Sequence, residues 1–89
     1  MLRLTRVSEN GSVVMLRLEG RIVGEWAEFL ERECDALLGT RRAVRMDLSG
    51  VGYADRNGVA ALRRLRSRPL EIANTPPLIQ HLLEQDGPP

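Results

Sequence analysis

The stretch Val44 to Leu62, VRMDLSGVGYADRNGVAAL, does most to constrain what this chain can fold into. Val44, Met46 and Leu48 alternate with Arg45 and Asp47, the period of a strand with one covered face and one solvated face. A glycine-punctuated loop from Ser49 to Asn57 follows, and then an amphipathic helix from about Asn57 to Leu65 that buries Ala61, Leu62 and Leu65. A strand that hands its C-terminal end to a helix N-terminus turns backbone N–H groups outward and favours negative charge there. Asp55, Arg56, Asn57, Gly58 and Val59 occupy that junction and are the candidate functional residues.

The rest of the chain repeats the same grammar. Leu2 to Val7 and Val13 to Leu18 read as two strands joined through Asn10-Gly11, a pair that takes positive φ and signals a hairpin. Val14, Leu16 and Leu18 share one face, as do Leu70 and Ile72 in a short last strand. Strands buried on both faces would read as unbroken Val, Ile and Leu, so the alternation predicts a sheet with helices mostly on one side. Gly24 to Leu38 is helical, with Trp26, Leu30, Cys34, Leu37 and Leu38 at three- and four-residue steps and Phe29 widening the stripe. Its outer face, Glu25, Glu28, Glu31, Arg32 and Asp35, reads as solvated, and Arg63, Arg64 and Arg66 read as the outward side of the second helix. A third helix begins around Thr75, a capping residue, with Pro76 at its first position. The expectation is one small α/β domain over residues 1–85. It has a mixed sheet of four to five strands, an N-terminal hairpin plus parallel strands joined by crossovers, and about three helices. Residues 86–89 form a frayed tail.

Composition narrows the functions. At 89 residues the chain holds one domain, and no run is long and apolar enough for a membrane span. The net charge of +1 gives no strong field toward nucleic acid. Arg63, Arg64, Arg66 and Arg68 make a basic patch, yet one Trp, one Tyr and one Phe supply no stacking platform. All 13 basic residues are arginine, a bias that codon usage in a GC-rich genome explains. The single Cys34 excludes an internal disulfide, and Glu33 and Asp35 beside it disfavour a thiolate. It is expected half-buried on its helix. His81 has no second histidine or cysteine nearby and reads as a surface residue. With no nucleophile–base pair, metal set or phosphate-cradling loop, the chain is read as a non-enzyme without cofactor or metal. The N-terminus lacks a secretory signal, so the expected compartment is the cytoplasm.

Asp47-Leu48-Ser49-Gly50-Val51, followed by Asp55 and by Gly58-Val59 at the start of an apolar helix, resembles the STAS domain family, the bacterial anti-sigma factor antagonists. The likeness extends as pattern through the hairpin, Leu18-Glu19-Gly20 and the C-terminal strand and helix. It implies a non-catalytic protein-interaction module in transcription regulation. Its docking residues would be Asp55, Arg56, Asn57, Gly58 and Val59, and its partner an anti-sigma factor with a kinase-like fold. In phosphorylatable members the residue before the glycine is a serine or threonine that accepts phosphate. Here that position is Asn57, so the resemblance implies a domain that is non-phosphorylatable at the usual site. Either Asn57 or Asp55 is placed to cap the helix. The second helix is also shorter than the family pattern. The alternative within the resemblance is an accessory subunit bound to the ATPase of a lipid-trafficking ABC transporter. Which partner applies, and the oligomeric state, stay open at the level of sequence.

Overall fold

The structure, a computed structural model, describes residues 1–9 and 12–85. Seven elements follow one another: β1 (Leu2–Glu9), β2 (Val13–Ile22), α1 (Glu25–Leu38), β3 (Ala43–Ala54), α2 (Arg56–Arg66), β4 (Leu70–Ala73) and α3 (Pro77–Gln85). The strands lie in the order β1-β2-β3-β4. β1 runs antiparallel to β2, whereas β2, β3 and β4 are mutually parallel, joined through α1 and α2. The sheet therefore has four strands, the lower end of the expected range. The Asn10-Gly11 turn and the 86–89 tail lie outside the described residues.

One face of the sheet carries the core. Val14, Leu16, Leu18 and Ile22 of β2 and Val44, Met46, Leu48, Val51 and Ala54 of β3 are buried beneath the helices. Above them lie Ala27, Leu30, Cys34 and Leu37 of α1, Ala61, Leu62 and Leu65 of α2, and Ile79 and Leu83 of α3. The opposite face is polar, as the alternation predicts: Arg17 faces Asp47 across the parallel pair, and Arg45 reaches Glu71 at 2.9 Å. Cys34 is not half-buried but fully buried, with its Sγ 3.5 Å from the Met46 Sδ. Burial, with Asp35 adding to it, pushes its thiol up to about 12.

β3 is much longer than its alternating segment. Ser49 to Ala54, read from sequence as a loop, continues the strand because β2 continues beside it: Glu19 pairs with Gly50, Gly20 with Val51 and Ile22 with Ala54. The register slips twice along this stretch, between Arg17 and Glu19 and between Gly20 and Arg21. Such bulges bend and twist a strand without ending it. Gly20 has φ 108 and lies where a side chain would collide with the Met1 carbonyl oxygen, so only glycine fits. The slips also break the simple two-residue period, which is why the sequence pattern fades there.

α3 begins at Pro77, not at Thr75 or Pro76. A residue that precedes proline is held out of the helical region, so Pro76 cannot be the first helical residue; its carbonyl instead accepts from the Gln80 N–H at 2.9 Å.

The arginines of α2, and Arg68 just beyond it, are not simply outward. Arg64 forks onto Glu31, with Nη2 at 2.6 Å and Nε at 3.0 Å, and Arg68 Nε donates to Asp35 at 2.6 Å. Arg63 donates to the Leu83 carbonyl of α3 at 2.7 Å. The acidic outer face of α1 is therefore partly an interhelical seam, which single-helix periodicity cannot show.

Candidate functional site

Asp55 leaves the end of β3 in an extended conformation and becomes the N-cap of α2. One carboxylate oxygen accepts the Gly58 N–H at 2.8 Å, and the other accepts the Gly24 N–H at 2.9 Å, just before α1. A single side chain thus ties together the starts of both helices. The Gly58 and Gly24 N–H groups hold its carboxyl below the usual carboxylate range, outweighing the cost of partial burial. The Asp55 N–H donates to the Ile22 carbonyl at 3.2 Å, which fixes the strand end as well.

Gly58 completes the joint. A methyl group there would fall inside the envelope of the Ile22 carbonyl oxygen, so α2 can approach β2 only with glycine at this position. Val59 is 8% exposed and belongs to the core. Of the five sequence candidates, Asp55, Gly58 and Val59 thus build the junction. Arg56 and Asn57 are the two that stand exposed on its surface. Asn57 sits in the first turn of α2 without holding the cap; that task falls to Asp55.

Beside Asn57 a groove of about 310 Å³ runs between the first halves of α1 and α2. Its walls are Glu25, Glu28 and Arg64, with Gly24, Ala27 and Ala60 between them. None of these residues was a site candidate in the sequence, because only the packing of α1 on α2 brings them together. On the other flank of Glu25 and Glu28, Trp26 and Phe29 meet edge to face with ring centroids 5.7 Å apart.

A second carboxylate shapes the same strand. Asp47, which the alternation places on the solvated face, is only 6% exposed. Its Oδ1 accepts from the Ser49 N–H at 2.9 Å and from the Asn74 side-chain amide at 3.2 Å, while Arg17 stands 3.7 Å from Oδ2. The Ser49 N–H and then the Ser49 hydroxyl, ahead of the Asn74 amide and the Arg17 charge, hold its carboxyl below the usual range. Asn74 has φ 56, a conformation asparagine tolerates better than most side chains.

Among the described residues no cluster of three His, Cys, Asp or Glu side chains is arranged for a metal ion, and no helix is long and apolar enough to cross a membrane. His81 is exposed on α3, as read from sequence.

Comparison with known proteins places this architecture. Residues 5–87 match the family model described as Mlab, STAS domain. No curated protein matches the sequence. The anti-sigma factor antagonist SpoIIAA in its unphosphorylated form shares the fold, with a TM-score of 0.66 at 18% identity over 97% of this chain and 84% of that one. A crystal structure of Mglu aligns with a TM-score of 0.60 at 26% identity, covering 80% of this chain but 19% of the Mglu chain. The native form of Mglu in 4.3 M NaCl aligns at 0.54 and 19% identity, over 90% of this chain and 27% of that one.

Proposed function

The chain belongs to the STAS domain family, and from that premise we propose that it is a non-catalytic module that docks a protein partner through the junction at residues 55–59. The observation that carries this reading is the division of labour at the junction. Asp55 and Gly58 hold the helix starts, while Asn57 and Arg56 stand exposed with no structural duty assigned to them. A surface side chain beside a groove, mounted on a rigidly capped helix, is a suitable docking contact because little ordering entropy remains to be lost on binding.

In this reading Asn57 occupies the phosphoacceptor position of the family pattern. An amide has no hydroxyl to accept a phosphoryl group, so docking is not switched by phosphorylation at this site. A binding role rather than an enzymatic one is supported by the burial of the only cysteine, whose thiol is pushed up to about 12. The module works in the cytoplasm with a protein partner, not with nucleic acid or a membrane.

The first partner class is an anti-sigma factor or similar kinase-like regulator. Asn57 itself favours the second class, the ATPase of a lipid-trafficking ABC transporter, since a permanent subunit needs no phosphate switch. Adjacent permease and ATPase genes would select the second class. The junction is tested by capture from the native host with the wild type and with Asn57→Trp, which blocks an exposed position without touching the cap. The expected result is loss of a partner that the wild type retains. Equal capture by both would remove the junction from the interface.

A further inference from the structure

The seam between α1 and α2 follows one spacing. Arg64 reaches Glu31 and Arg68 reaches Asp35, each across 33 residues. Carried toward the helix starts, the same spacing sets Ala27 against Ala60 and Gly24 against Asn57, and these four residues line one groove. In the lower half of the seam, Arg64 of α2 and Arg68 just beyond it answer Glu31 and Asp35 of α1. In the upper half Ala60 and Asn57 stand opposite Ala27 and Gly24, and space is left between the helices.

The acids do not stop where the arginines do. Glu25 and Glu28 stand on the wall of that groove, both exposed. Among the described residues neither side chain has an ion-pair or hydrogen-bond partner, in contrast to Glu31 and Asp35 on the same helix. The α1 dipole accounts for acids near its first turn. It does not account for the empty volume beside them, where the guanidinium of Arg64 on the groove wall is already committed to Glu31.

We infer that the groove receives an arginine side chain of a protein partner, which completes the α1–α2 ladder from outside. The partner segment is basic, its guanidinium lies against Glu28 and Glu25, and its aliphatic stem lies over Ala27 and Ala60. Arginine suits the place because its planar fork binds carboxylates as Arg64 already does one turn below. The inference rests on the junction being a docking site and names the chemistry of what docks there.

The test uses the ¹⁵N-labelled full chain titrated with the tripeptide acetyl-Ala-Arg-Ala-amide, and with acetyl-Ala-norleucine-Ala-amide as the neutral control. Saturable shifts are expected at the Gly24, Glu28, Asn57 and Ala60 amides with the arginine peptide alone. The double variant E25Q/E28Q, altered only at exposed positions, should bind about tenfold more weakly. A60R, which supplies the missing rung from within, should show no shift. Equal shifts with the norleucine peptide, undiminished binding by E25Q/E28Q, or unmoved groove amides would each overturn the inference. Should A60R fail to fold, the glutamine pair still decides. The outcomes separate from those of the junction test. Peptide binding with capture unchanged by Asn57→Trp faults the docking reading, whereas capture lost with no peptide binding faults the arginine groove alone.

Discussion

Asp47 and Asp55 lie on the same stretch of chain and do similar work in different settings. Each accepts hydrogen bonds from two directions and each is held below the usual carboxylate range. Asp55 binds two backbone N–H groups and joins the starts of two helices. Asp47 binds one backbone N–H and one side-chain amide, joining β3 to the turn after β4. The difference lies in what is left behind when either is removed. Gly58 is buried, so its N–H loses its only route to a partner, whereas Ser49 and Asn74 are exposed and can turn to water. Equivalent chemistry therefore carries unequal weight, and the larger weight lies at the junction.

The comparison breaks hardest at Gly58. Alanine for glycine inside a helix ordinarily stabilises by about 1 kcal/mol. Here the added methyl meets the Ile22 carbonyl, so Gly58→Ala should instead destabilise by about 2–4 kcal/mol, read from urea melts. A gain in stability would mean that α2 is not pressed against β2.

The two aspartates themselves come next. Asp55→Ala should cost about 2–3 kcal/mol, as loss of a cap and of charge-assisted bonds, and Asp47→Ala about 1 kcal/mol. Their pH dependence has the same sign. Because both folded values are depressed, their stabilisation is complete above the ordinary carboxylate value near ~4 and is lost as pH falls below it through the folded values. Each alanine variant should therefore lose less stability than the wild type on acidification below about pH 4, with Asp55→Ala showing the flatter profile. Identical profiles for the two variants would erase the distinction. The smallest effect belongs to Asn57→Ala, expected within about 0.5 kcal/mol of the wild type by thermal melting. A larger loss would show Asn57 sharing the cap with Asp55.

What could be read in advance followed from local periodicity. Val14, Leu16 and Leu18 of β2 and Leu30, Cys34 and Leu37 of α1 are legible as one face from their spacing, whereas buried Ile22 and Ala27 are not, and the resemblance to the family rests on Asp47 to Val51, Asp55 and Gly58-Val59. What escaped depended on contacts between distant segments. The strand character of Ser49 to Ala54 is decided by β2, whose bulges absorb the irregular pattern. Asp47 reads as solvated because alternation cannot foresee Asn74 folding over it. The groove beside Asn57 is invisible until the 33-residue spacing between Glu31 and Arg64 is known.

Cys34 gives the molecule an internal clock. As the only cysteine, fully buried against Met46 and with its thiol pushed up to about 12, it meets an alkylating reagent only when α1 lifts from the sheet. The rate of labelling in native buffer thus times that opening directly. Any ligand that clamps α1 to α2 will slow the clock, without a dye, a tag or an engineered residue.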